Sequence, residues 1–151
     1  MKLGPKYINQ KLYKKILEVL PVACADSVVV HGKKFLLGKR KNKPAKGGWF
    51  LIGGRIIKGE KLEDAARRHV SEETGIKRVK IKKFLGARET IYPDSAQGPS
   101  SHTVNFVYLA EINPAKTFSV SKESSEFKWF SKINKTWHPY AREMLRKAGF
   151  R

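Results

Sequence analysis

The sequence predicts an α+β fold, a mixed β-sheet sandwiched between α-helices, with residues 1–151 forming one domain. Apolar residues recur at helical spacing near both ends and in the middle of the chain. Between these stretches lie segments rich in β-branched and aromatic residues. No linker, repeat or low-complexity tract interrupts them. In order, "KLYKKILEVLP" is a helix with Leu12, Ile16, Leu17 and Leu20 on one face, ended by Pro21. "VACADSVVV" and "FLLGKR" are a strand pair turned by Gly32. "KNKPAKGG" is a loop, and "WFLI" is a short buried strand running into Gly53-Gly54. A helix spans about 62–74 and stops at Gly75. "VKIKKFLGARETIY", "HTVNFVYLAEI" and "EFKWF" are further strands, with the loop "PDSAQGPSS" after the first. "HPYAREMLRKAG" closes the chain as an amphipathic helix.

With 40% hydrophobic and 30% charged residues, the chain is globular rather than disordered. The one cysteine, Cys24, excludes an internal disulfide and reads as a small buried hydrophobe. No apolar stretch reaches transmembrane length and "MKLGPKYINQ" is not a secretory signal, so the expected location is the cytoplasm. The formal charge of +19 and sequence pI near 10.2 admit three readings: attraction of an anionic small substrate, nucleic-acid binding, or solubility. The densest run, "KRVKIKKF", suits the wet face of a strand, which leaves RNA binding as a secondary property.

The segment "GGRIIKGEKLEDAARRHVSEETGI" (53–76) carries the chemistry. Side chains three and four apart share a helix face, which groups His69, Glu72 and Glu73, with Arg68 one turn before Glu72. Hard cations such as Mg²⁺ take a few carboxylates plus substrate phosphates, and the glycine pair brings backbone carbonyls close to the same cluster. The alternative is a solvated helix with an Arg68–Glu72 ion pair worth about 0.3–0.5 kcal/mol.

The spacing of Gly54, Glu60, Arg68, Val70, Glu72, Glu73, Gly75 and Ile76 closely resembles the Nudix signature, G-x5-E-x7-R-E-U-x-E-E-x-G-U, with U a bulky aliphatic residue. Only His69 departs, standing where the signature has glutamate. The resemblance implies the Nudix fold and Mg²⁺-dependent hydrolysis of a nucleoside diphosphate linked to another moiety. A neutral imidazole is a poor Mg²⁺ ligand. His69 is therefore either a packing residue in the place of a lost ligand or a group with its own catalytic role.

The stretch "KFLLGKRKNKPAKGGWFLIGGRIIKGEKLEDAA" (34–66) is similar to the GDP-mannose mannosyl hydrolase branch, which also lacks that glutamate. That branch attacks the sugar carbon and releases intact GDP. The resemblance implies Gly53 (through its carbonyl) and Glu73 as metal ligands, with Glu72 as a ligand or supporting group. Arg40 and Arg55 would hold the diphosphate, a task suited to guanidinium forks. Asp26 would recognise the nucleotide or sugar. In "SKESSEFKWF" the branch's metal-binding glutamine and catalytic histidine are replaced by Glu123 and Ser124. Glu123 can still bind metal, but Ser124 cannot act as a base near neutral pH, leaving His69, His102 or Glu123 as substitutes. In phosphorus-attacking relatives a glutamate in this loop serves as base. The expected activity is thus Mg²⁺-dependent hydrolysis of a nucleotide sugar such as GDP-mannose. The alternatives are a diphosphatase of triphosphates or dinucleotides using Glu123, and an RNA-associated or non-catalytic domain. A homodimer is implied, with the N-terminal helix (residues 6–20) contributing to its interface.

Overall fold

The apolar run that begins at Val22 becomes the central strand of the sheet. The computed structural model describes residues 2–114 and 124–151. Its elements are α1 (Gln10–Val19), β1 (Val22–His31), β2 (Lys34–Arg40), β3 (Trp49–Phe50), β4 (Ile52–Arg55), α2 (Leu62–Thr74), β5 (Lys80–Tyr92), β6 (Ser101–Glu111), β7 (Ser124–Phe130) and α3 (Pro139–Lys147). The strands form one mixed sheet in the order β3-β2-β1-β6-β5, with β4 also paired to β1 and β7 to β2. β1 and β6 run parallel; the other pairings are antiparallel.

β1 is almost uniformly apolar because both its faces are covered. Val28 and Val30, with Phe35 and Leu37 of β2, pack on Tyr140, Ala141, Met144 and Leu145 of α3. Val29, Leu36 and Ile52 pack instead on Val70 of α2. Successive strand residues point to opposite faces, so this alternation sets α2 on one side and α3 on the other. Ala25 meets Ala65 and Ala66, whose small side chains let α2 lie close to the strand. Fully burying a Leu, Ile or Phe side chain stabilises the fold by about 1.5–3 kcal/mol.

α2 begins with Glu63 and Asp64 at its positive end and stops at Gly75, whose φ of 77° few other residues adopt readily. The "WFLI" segment is split. Trp49 and Phe50 pair with β2, and the chain then crosses at buried Leu51 to pair Ile52–Arg55 with β1. The face of α1 is also rotated from the one expected. Leu17 packs with Tyr13 and Ile16 against Val22 and Cys24, whereas Leu12 and Leu20 stay 53% and 59% exposed. Tyr13 covers the strand better than Leu12 because its ring reaches the same side as Leu17. Val19 is exposed as well. No helix among the described residues is long and apolar enough to cross a membrane.

Candidate active site

β1, β4 and α2 meet around a cavity of about 810 Å³. Asp26, Arg40, Gly53, Arg55, His69, Glu72 and Glu73 all line it. Sequence-distant candidates are thus brought together by the β1–β4 pairing, which sets Asp26 opposite Gly53 and Cys24 opposite Arg55. Glu123 lies outside the described residues. His102 does not line the cavity; its ring bonds to Glu89 at 2.8 Å on the exposed side of β6.

Gly53 is fixed as glycine by its neighbours. A Cβ there would come within 2.5 Å of Asp26 Cα and 2.6 Å of the Ala25 carbonyl oxygen, atoms that cannot move aside. Gly54 is fixed by His69, since an added Cβ would sit 2.7 Å from His69 Cε1. His69 Nε2 lies 2.9 Å from the Arg55 carbonyl oxygen, a contact that places the ring proton on Nε2. Arg68 Nη2 donates to the same carbonyl at 3.1 Å. Burial pushes the His69 pKa down, so the imidazole is neutral at pH 7. A glutamate in this position would face the carbonyl with a second acceptor. The histidine therefore fastens the glycine strand to α2.

Gly54→Ala should lower Tm by roughly 3–10 °C, as expected for 1–3 kcal/mol of overpacking in a domain of this size. Measured against His69→Ala, Gly54→Ala/His69→Ala should lose much less than Gly54→Ala loses against wild type. Thermal melts of the three variants check this, and an equal loss in both backgrounds would show that the ring is not the obstacle.

Glu60 and Arg68, eight residues apart, form a forked pair: Nε to Oε1 at 2.7 Å and Nη2 to Oε2 at 3.0 Å. Burial alone would raise the Glu60 pKa, but Arg68 and the Ile57 N–H outweigh it and hold the carboxyl low. The expected Arg68–Glu72 contact is present but longer, at 3.4 Å. Glu72 is shared with the Lys6 ammonium. Glu73 is 7% exposed, and Ser124 Oγ donates to it at 3.4 Å.

Arg55 sends Nη2 to the carbonyls of Lys6 at 2.7 Å and Pro5 at 3.2 Å. Gly4 N donates to the Lys58 carbonyl at 2.8 Å. Residues 4–8 thus run along the cavity beside α2, a feature the sequence pattern did not disclose. Arg40 turns Nε back to the Pro44 carbonyl at 2.7 Å.

Asp26 accepts from Tyr140 Oη at 2.5 Å. Tyr140 is a further cavity residue missed in the sequence, although a tyrosine on the buried face of α3 needs a partner for its hydroxyl. Burial pushes the Asp26 carboxyl up to about 6, opposed by the Tyr140 hydroxyl and the Arg40 charge. A carboxyl raised on folding stabilises most below its unfolded value, and that contribution is lost as pH rises through about 6. Relative to Asp26→Asn, the wild type should therefore lose stability between pH 4 and 7. The difference is at most about 3 kcal/mol, and less because Asp26 opens on to a wet cavity. Urea unfolding of both proteins at the two pH values measures it; parallel changes would contradict the assignment.

The donor set suits a hard cation. Glu72 and Glu73 supply carboxylates beside the Gly53-Gly54 backbone, and Mg²⁺ is usually held by one or two carboxylates plus substrate phosphates and water. Among the described residues no group of three or more His, Cys, Asp or Glu side chains forms a closed metal cage.

The pattern of the NUDIX domain family matches residues 22–147, and the chain belongs to that family. It is similar to the low-salt glycan biosynthesis protein Agl8 of Haloferax volcanii, with 32% identity over 135 residues covering 88% of this chain and 85% of that protein. It is also similar to an ADP-ribose pyrophosphatase of Methanocaldococcus jannaschii, 34% identical over 108 residues, covering 71% of this chain and 61% of that one. The crystal structure of a MutT NUDIX hydrolase from Burkholderia pseudomallei superposes with TM-score 0.67 at 26% identity, covering 84% of this chain and 97% of that one.

Proposed function

We propose that the protein is a divalent-metal-dependent Nudix hydrolase of a nucleotide sugar, releasing the nucleoside diphosphate and the free sugar. The observation that carries this reading is the placement of His69. Its ring is bonded to the Arg55 carbonyl, leaving Glu72 and Glu73 as the carboxylates that α2 offers to the cavity. A site with fewer metal-binding oxygens is less suited to generating a metal-bound hydroxide at phosphorus, and better suited to stabilising a diphosphate leaving group. Bound Mg²⁺ would supply that charge neutralisation, held by Glu73, Glu72 and the Gly53 carbonyl.

Arg40 and Arg55 face the same cavity and would take the diphosphate oxygens by exchanging their present carbonyl partners for the stronger charged ones. Asp26 would accept hydrogen bonds from the sugar. Glu123 is taken as the base for the attacking water, a role open to a carboxylate, and His102 lies off the cavity. The similarity to a glycan biosynthesis protein supports a sugar-bearing substrate.

Phosphorus attack is the second reading, supported by the similarity to an ADP-ribose pyrophosphatase. A screen of nucleotide sugars, ADP-ribose and nucleoside triphosphates with Mg²⁺ tests the choice. Nucleotide sugars should be hydrolysed fastest, giving nucleoside diphosphate; turnover of triphosphates alone would overturn the proposal. The dimer is tested by solution mass at micromolar concentration, where a monomer would contradict it. RNA association driven by the +19 charge would appear as binding that falls steeply with salt.

A further inference from the structure

Two hydroxyls at the cavity wall lack any hydrogen-bond partner: Tyr92 Oη, at the end of β5, and Ser95 Oγ, in the bend that follows. Both oxygens are shielded from water, and Ser95 as a residue is only 7% exposed. A buried hydroxyl left unpaired is destabilising, so two in one wall require an explanation. Neighbouring polar groups in the same wall are satisfied. Asn105 Nδ2 donates to the Arg88 carbonyl at 2.9 Å, Thr103 Oγ1 donates to Asn105 Oδ1 at 3.0 Å, and Thr90 and Thr103 share a bond of 2.7 Å. The orphaned pair is therefore local to Tyr92 and Ser95 rather than general to the wall.

Their surroundings define what they would hold. The Tyr92 ring packs against His138, with centroids 5.5 Å apart. His138 caps the helix that carries Tyr140, and Tyr140 bonds to Asp26, so this packing sets Tyr92 at the Asp26 end of the cavity. An ion pair between Lys43 and Asp94, 3.6 Å apart, joins the loop after β2 to the segment carrying Ser95. Arg40 also reaches this end, but in the reading above it is taken up by the diphosphate, which leaves a carboxylate and two hydroxyls for the group beyond. A phosphate dianion only accepts hydrogen bonds and would meet Asp26 acceptor to acceptor. A sugar hydroxyl both donates and accepts, so it can serve Asp26 and the two hydroxyls together.

We propose that Tyr92 and Ser95 are specificity-determining residues that bind the hydroxyl-bearing group beyond the diphosphate, a sugar rather than a third phosphate, with Asp26 as its acceptor. This rests on the nucleotide-sugar reading above and adds residues to it.

The test is calorimetric binding of GDP-mannose against GDP, and of ADP-ribose against ADP, without divalent cation so that nothing turns over. Wild type, Tyr92→Phe, Ser95→Ala and the double variant are compared. The wild type should bind one of the sugar nucleotides more tightly than its parent diphosphate. Each single variant should reduce that preference by roughly 2–10-fold, the value of one hydrogen bond, with diphosphate affinity unchanged. Melting temperatures should stay level or rise, because an unsatisfied group is removed; a fall in Tm without a change in preference would mean the hydroxyls serve the fold, and would overturn the proposal. If the wild type prefers and hydrolyses a sugar nucleotide while the variants keep the full preference, the subsite assignment alone fails. If the wild type shows no preference for either sugar nucleotide, the assignment fails together with the nucleotide-sugar reading.

Discussion

Glu73→Gln should reduce Mg²⁺-dependent turnover by more than roughly 10²-fold, since changing even a group that only supports a metal ligand commonly costs 10–100-fold. The substitution keeps the shape of the side chain and removes its charge. Glu73 is nearly enclosed at the end of α2 that faces the cavity, so its carboxylate attracts a cation in surroundings that screen it little. Ser124 Oγ can still donate to the amide oxygen, so the fold should hold and the melting temperature should change little. Glu72→Gln should cost less, because Glu72 is more exposed and shared between Lys6 and Arg68. Initial rates across an Mg²⁺ titration, with circular dichroism melts of each variant, measure both effects. Near-normal activity of Glu73→Gln at low Mg²⁺ would remove α2 as the metal-binding element.

Arg68→Met should destabilise the protein by roughly 1–3 kcal/mol, the range for leaving a partly buried hydrogen-bonded group without its partner. Glu60 is the buried member, with 7% of its side chain exposed, and without Arg68 only the Ile57 N–H remains among its identified donors. The Arg55 carbonyl also loses one of its two donors. Because the folded Glu60 carboxyl is held low, the pair contributes above the unfolded carboxylate range and is lost as pH falls through the lower folded value. The deficit of Arg68→Met should thus be large at pH 7 and shrink under acid conditions. Urea unfolding at both pH values checks it; a deficit that stays constant with pH would mean that packing, not charge, sets the loss.

These two results divide the 53–76 segment by role. Glu60 and Arg68 hold the loop before α2 to the helix, and Glu72 and Glu73 face the cavity. Their spacing made the segment legible, because one turn of helix fixes which side chains share a face. The sheet was legible for a similar reason: Val28, Val29 and Val30 form an unbroken apolar run, which a strand buried on both faces requires. What could not be read depends on contacts between distant residues. Tyr140 reaches Asp26 across 114 positions. Arg55 is held by carbonyls of residues 5 and 6, and backbone acceptors leave no trace in residue type. The rotation of α1 toward Tyr13 follows the shape of the strand surface beneath it, which helical periodicity does not specify. His69 was conspicuous in the sequence, but its partner is again a backbone carbonyl, so its task emerged only from the fold.

The central claim, that this Nudix hydrolase directs water to the sugar rather than to phosphorus, is tested most directly by hydrolysing GDP-mannose in ¹⁸O-labelled water with Mg²⁺. Phosphorus NMR and mass spectrometry of the products then locate the label. The account predicts unlabelled GDP and labelled mannose. Label on GMP or on mannose phosphate, with no GDP formed, would contradict it.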